Sequence, residues 1–164
     1  MTEPMFAALS GPADVRPSGR FLVVHVAGVP IPQGSMRGFV TKSGSVVLTS
    51  DNPRLRSWRR DLTIAFAEAR EGVQFSGPVR LTVSFALPRP TGHFGRRGLL
   101  PSAPARPIGA RDDLDKLVRA IGDAATDAGV WRDDGQITEL RAKKRWAFAG
   151  EGPGADVEIL ELVG

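Results

Sequence analysis

The chain has 164 residues, 41% of them apolar, with no cysteine, no tyrosine and two histidines. That is one domain's worth of core, and it excludes disulfides, thiolate metal sites and tyrosine chemistry. The net charge of +4 divides unevenly, since residues 1–111 carry 15 Lys/Arg against 6 Asp/Glu and residues 112–164 carry 7 against 12.

Residues 1–19 hold Pro, Gly and Ser without periodicity and read as a flexible tail. They lack the basic start and apolar stretch of a signal peptide. No apolar run approaches the ~18 residues of a membrane span, so the expectation is a cytoplasmic protein. Residues 20–164 read as a single domain. Phe21–Gly28 is a continuous β-branched strand, broken at Pro30-Ile31-Pro32. Gly38–Lys42 and Ser45–Thr49 form a hairpin around Ser43-Gly44. Over residues 54–70, Leu55, Trp58, Leu62, Phe66 and Ala69 recur at steps of three and four, which makes one helical face. Asp51, Asn52 and Pro53 supply its start. Residues 79–87 alternate apolar and polar, the cleanest strand in the chain.

Residues 88–111 are rich in proline and glycine and contain five arginines and no acid. This segment, with Arg96 and Arg97 at its centre, is a candidate loop for DNA contact. Residues 114–128 form a second helix whose buried face is Leu114, Leu117, Val118, Ile121, Ala125 and Ala128, closed by Gly129. A turn at Asp133-Asp134-Gly135 follows. A strand from about Ile137 to Phe148 places Leu140, Ala142, Trp146 and Phe148 on one face and Arg141, Lys143 and Arg145 on the other, with Lys144 an exception on the apolar face. Ala155–Val163 is the last strand. The order implies an α+β, two-layer domain: a mixed or antiparallel sheet packed with two main helices.

Seven aspartates lie between residues 112 and 134. Asp113 and Asp115 straddle the start of the second helix, and Asp115, Arg119 and Asp123 make a polar ridge opposite the leucines. Ordinary physics accounts for much of this. Acids in a first turn favour the helix dipole, Asp115 and Arg119 are spaced as an ion pair, and Asp-Asp-Gly is a common turn. The functional reading is a hard divalent cation: clustered carboxylates repel, and magnesium relieves that while binding phosphate oxygens and water. An acidic pocket in a basic body suits a metal-dependent nuclease, with the basic part holding a polyanion.

The run from Asp113 to Gln136, DLDKLVRAIGDAATDAGVWRDDGQ, resembles the RusA family of Holliday-junction resolvases. The shared pattern is D-x-D-N-L-x-K, an aspartate on the same helix, a glycine turn, an aromatic stretch and D-D-x-Q. RAKKRW at 141–146 continues it, and GVPIPQGSMR at 28–37 is a weaker likeness. The resemblance implies a homodimer of α/β subunits that nicks opposed strands of branched, four-way DNA with magnesium, manganese being a second possible ion. It assigns Asp113, Asp115 and Asp134 as catalytic, metal-organising carboxylates, with Asp133 beside them and Asp123 in support. Arg119 stands where the family has a catalytic lysine, and Lys116 where it has asparagine. Lys116, Arg141, Lys143, Arg145, Arg96 and Arg97 are then the expected DNA contacts. The two departures motivate a second reading, a junction-binding dimer weakened in catalysis. A third is an unrelated α+β domain with an acidic helix cap.

Overall fold

The alternation in residues 79–87 makes β4 (Val79–Leu87) the centre of the fold in the computed structural model, which describes residues 16–34, 37–49, 52–109 and 111–163. With Val79, Leu81, Val83, Phe85 and Leu87 all buried, one face of this strand forms the floor of the core. On one side β4 pairs antiparallel with β8 (Gly154–Val163), and β8 pairs antiparallel with β1 (Arg16–Ala27). On the other side it pairs parallel with β7 (Ile137–Trp146). The result is a mixed four-stranded sheet in the order β1-β8-β4-β7. β1 begins at Arg16, earlier than the expected boundary at residue 20, and the rest of the expected tail lies outside the described residues.

Two helices cover one face of this sheet, as the α+β reading requires. In α1 (Pro53–Ala69), Asn52 accepts a hydrogen bond from the Arg54 N–H, and Leu55, Trp58, Leu62 and Phe66 are buried. In α2 (Leu114–Asp127), Leu117, Ala120, Ile121, Ala124 and Ala125 are buried in the same core. Small residues at three of these five positions let α2 lie close against its neighbours. Gly129 follows in the left-handed conformation at φ +73° and ends the helix. The expected hairpin is β2 (Arg37–Val40) with β3 (Val46–Thr49). No helix among the described residues is long and apolar enough to cross a membrane.

The Pro/Gly/Arg-rich loop is more ordered than its composition implies. It carries a short hairpin, β5 (Phe94–Gly95) and β6 (Gly98–Leu99), with Arg96 and Arg97 between the strands. Trp146 holds the loop down. Its indole N–H donates to the Pro104 carbonyl at 2.9 Å, Arg89 lies over its ring, and His93 meets it edge-on. The β7 expectation fails in one respect: Leu140 is 53% exposed and Phe148 70%, because β7 is an edge strand and β7 itself stops at Trp146. Phe148 instead lies under the Arg145 guanidinium.

Glu161 is the buried charge that closes the sheet's far end. Its Oε1 accepts from the Ser76 and Gly77 N–H groups, and Arg20 donates to Oε2 at 3.0 Å. Glu161→Ala would leave those donors without their acceptor, so we expect a loss of about 2–4 kcal/mol, measured by urea denaturation with secondary structure retained at 25 °C.

Candidate active site

The loop 88–109 and the N-terminus of α2 meet at the end of the sheet where β1, β4 and β7 finish. Asp113 is the residue before the helix, in extended backbone at φ −61°, ψ 125°, so it faces out of the helix while Asp115 occupies the first turn. The Lys116 ammonium lies 2.8 Å from Asp113 Oδ2. This hydrogen bond and the lysine charge hold the Asp113 carboxyl below its ordinary range, with Lys144 assisting. Reciprocally, Asp113 pushes the Lys116 ammonium up, and the Asp115 charge adds to it while the Arg119 charge opposes it. Lys144 reaches the same place from β7 and donates to the Asp112 carbonyl at 2.7 Å. Its position on the apolar row of β7 is explained by this contact. Arg119 is exposed, one turn along α2 from Asp115.

Asp134 is delivered from the opposite end of α2. A β-carbon built on Gly122 would sit 3.6 Å from Asp134 Cβ, so the turn packs directly on the helix at that glycine. Gln136 pins the turn: its amide N–H₂ donates to the Phe75 and Gly77 carbonyls, and its Oε1 accepts from the Arg132 N–H. Asp133 accepts from the Gly135 N–H at 2.7 Å and so shapes the turn. Trp131 is buried and donates to Thr126 Oγ1 at 2.8 Å. Each polar or aromatic element of the D-D-x-Q stretch therefore has a mechanical task in presenting Asp134.

Asp115 and Gly122 are seven residues apart, close to two helical turns, so they share one side of α2 at a separation of about 10 Å. The structure thus places Asp113 and Asp115 together, with Lys116, Arg119 and Lys144 around them, and packs Asp134 at Gly122, farther along the same side. Among the described residues, no three carboxylate or histidine side chains are grouped closely enough to hold a metal ion. A three-carboxylate cage is therefore absent from this arrangement. Magnesium asks less than that, one or two carboxylates with water and phosphate oxygens completing the shell, and the hard oxygen donors of Asp113 and Asp115 fit that demand.

Asp123, on the polar ridge of α2, has a set of partners that the sequence did not indicate. Gln33 donates to its Oδ2 at 2.6 Å, and Arg59 of α1 bridges toward Asp123 at 3.9 Å and Asp127 at 2.7 Å. The Gln33 N–H also donates to the Lys116 carbonyl. Gln33 thus ties the segment after β1 to α2 beside the carboxylates. It lies 90 positions from Asp123, and only the GVPIPQGSMR likeness hinted at it.

The basic strand divides between two faces. Lys144 points to α2, whereas Arg141 and Lys143 are exposed on the helix-free face of the sheet. Arg145 is taken up in a paired hydrogen bond to Glu151 at 2.6 and 2.7 Å, and with the Phe148 N–H it holds the Glu151 carboxyl down to about 2.

The fold and site define a basic α+β domain with carboxylates and cations gathered at one edge of a mixed sheet. The family model for the endodeoxyribonuclease RusA matches residues 28–160, and the chain belongs to that family of DNA-cutting enzymes. No curated protein matches the chain.

Lys116→Gln removes the main cause of the Asp113 shift. We expect the Asp113 pKa to rise toward the ordinary carboxylate value, followed by carboxyl ¹³C NMR titration, while Glu151 continues to titrate near 2. The folded value is depressed, so the Asp113–Lys116 contact is present above the ordinary carboxylate pKa and is lost as pH falls through the folded one.

Proposed function

We propose that this chain is a magnesium-dependent, structure-selective endonuclease that nicks four-way DNA junctions as a homodimer in recombination and repair. The observation that carries the reading is the assembly at the start of α2, where Asp113 and Asp115, the aspartates of the family's motif, stand beside Lys116, Lys144 and Arg119. A cation bound there would polarise the scissile phosphate and lower the pKa of a bound water. The chain's part is to place and charge the substrate. Asp113 and Asp115 supply hard oxygen donors. Lys116, Lys144 and Arg119 attract the phosphate backbone, and Arg119 offers a planar fork suited to clamping phosphate rather than to transferring a proton. Asp134 presents a third carboxylate on the same side of the helix, held against Gly122. Arg96 and Arg97, exposed on the β5–β6 hairpin at this end, extend the DNA track.

The weakened-catalysis reading draws on two observations. Lys116 already neutralises Asp113, and Asp134 stands about two turns from Asp115. Cleavage and binding separate the two readings. Labelled four-way junctions with magnesium should be cut to 5′-phosphate and 3′-hydroxyl ends by the wild type. Asp134→Asn should reduce cutting by at least about a hundredfold while leaving junction affinity within about twofold. Wild type that binds junctions but cuts nothing in magnesium or manganese would establish the binding-only form. Wild type that neither binds nor cuts would end both readings.

Phosphate contact also has a salt signature. Log K falls by about 0.9 for each phosphate neutralised per log unit of salt. Arg96→Ala and Arg97→Ala should each flatten that slope by about 0.9 in fluorescence anisotropy titrations.

A further inference from the structure

Arg119 is flanked on α2 by two carboxylates, Asp115 one turn before it and Asp123 one turn after. Residues four apart on a helix are neighbours, so either acid is within reach of the guanidinium. Yet Arg119 is exposed and forms no ion pair among the described residues. Asp115 lies with Asp113 at the start of the helix, where a cation would engage it. Asp123 is the acid that could occupy Arg119 to no purpose, and its carboxylate is turned to other partners.

Gln33 makes the close contact among those partners. Its Nε2 donates to Asp123 Oδ2 at 2.6 Å. Arg59 is committed to Asp127 at 2.7 Å and comes no nearer to Asp123 than 3.9 Å. Gln33 is only 6% exposed. Its backbone fixes it there: the Gln33 N–H donates to the Lys116 carbonyl at 3.1 Å, and Pro30 and Pro32 restrict the approach of the chain. Its Oε1 is buried with no partner among the described residues. Of the two ends of the amide only the donor is used within the chain, which is the end that suits a carboxylate. The relative strengths point the same way. A short hydrogen bond from a buried donor to a charged acceptor outweighs an exposed i,i+4 ion pair, and a base N-terminal to its acid is the weaker orientation of such a pair.

We infer that Gln33 is a positioning residue: it anchors the Asp123 carboxylate toward the segment after β1 and so keeps the Arg119 guanidinium unoccupied for a DNA phosphate. The hold on Asp123 stands on the geometry; the phosphate as the occupant of Arg119 rests on the nuclease reading. The device needs an uncharged donor at residue 33. A carboxylate there would repel Asp123 toward Arg119, and an apolar side chain would release it.

Two substitutions release Asp123 in different ways. Gln33→Met keeps the length of the side chain and removes the donor, whereas Gln33→Asn keeps the amide but withdraws it by one methylene. The first readout needs no DNA. In guanidinium ¹⁵N NMR, with Arg119 assigned by the signal lost in Arg119→Lys, the Nη groups should interchange quickly in the wild type, as in an unpaired guanidinium, and slowly in Gln33→Met. The second is binding of four-way junctions followed by fluorescence anisotropy. Loss of one phosphate contact should flatten the slope of log K against log salt by about 0.9 and lower affinity by about eightfold at about 0.1 M salt. In an Arg119→Ala background the same substitution should change affinity by less than about twofold, because the two residues act through one contact. Gln33→Met/Asp123→Asn should recover the wild-type slope, since no charge remains at residue 123 to take Arg119. A merely structural contact predicts the reverse, because breaking its second half cannot restore what breaking the first half lost. Circular dichroism and thermal melts establish that the variants are folded, with Gln33→Asn taking the place of Gln33→Met if the latter is not. The inference is overturned if Arg119 is already paired in the wild type, if it stays unpaired when Gln33 is replaced, or if Asp123→Asn fails to restore the slope. A chain that neither binds nor cuts junctions ends the nuclease reading and removes the phosphate, while the guanidinium spectrum still decides whether Gln33 holds Asp123 off Arg119.

Discussion

The parallel pairing of β4 with β7 is the constraint on which the site depends. Antiparallel neighbours can be joined by a tight turn, but a parallel neighbour requires the chain to return to the starting end before the second strand begins. Residues 88–136 make that return, and α2 is its rigid part. The helix consequently starts where β4 and β7 end and finishes where β7 begins. This puts Asp113 and Asp115 at the carboxyl ends of β4 and β7. It also puts the 133–136 turn at the foot of β7, from which Asp134 packs back onto Gly122. One topological requirement therefore orders the carboxylates, and the glycine sets how closely the last of them approaches.

The same strand pair decides which basic residues serve which purpose. Successive side chains on β7 point to opposite faces. Lys144 therefore joins the α2 end while its neighbours Lys143 and Arg145 look the other way. A basic run that appears uniform in sequence is split by geometry into one lysine at the carboxylates, two cations on an open sheet face and one arginine bound to Glu151. The sheet keeps its two faces chemically separate, and the edge position of β7 keeps both accessible.

Much of this was legible in the sequence because periodicity is a local property. The α1 face, the β4 alternation, the Gly129 stop and the turn before β7 all follow from residues within a few positions of one another. What was not legible depends on contacts between distant segments. Leu140 looked buried because it alternates with other apolar residues, but β7 is an edge strand and leaves Leu140 53% exposed. The Pro/Gly/Arg-rich loop looked structureless because its order comes from Trp146, 42 residues beyond Pro104. Asp123 lies on the polar ridge of α2, yet its partner Gln33 comes from the segment after β1, 90 positions away. The likeness to the family named the carboxylates. Spacing alone did not reveal that Asp113 is held by Lys116, or that Asp134 stands two turns from Asp115.

That separation changes the meaning of the chain's charge division. The acidic excess after residue 111 suggested a strongly negative pocket awaiting a cation. At the start of α2, however, Asp112, Asp113 and Asp115 meet Lys116, Arg119 and Lys144, three acids against three bases. A site balanced in this way attracts a cation less strongly than three bare carboxylates would, and repels a phosphate less. Lys116 is the residue that moves the balance, and it does so where the family carries a neutral asparagine. For the nuclease proposed above, such a balance would favour contact with the DNA backbone over retention of a free ion.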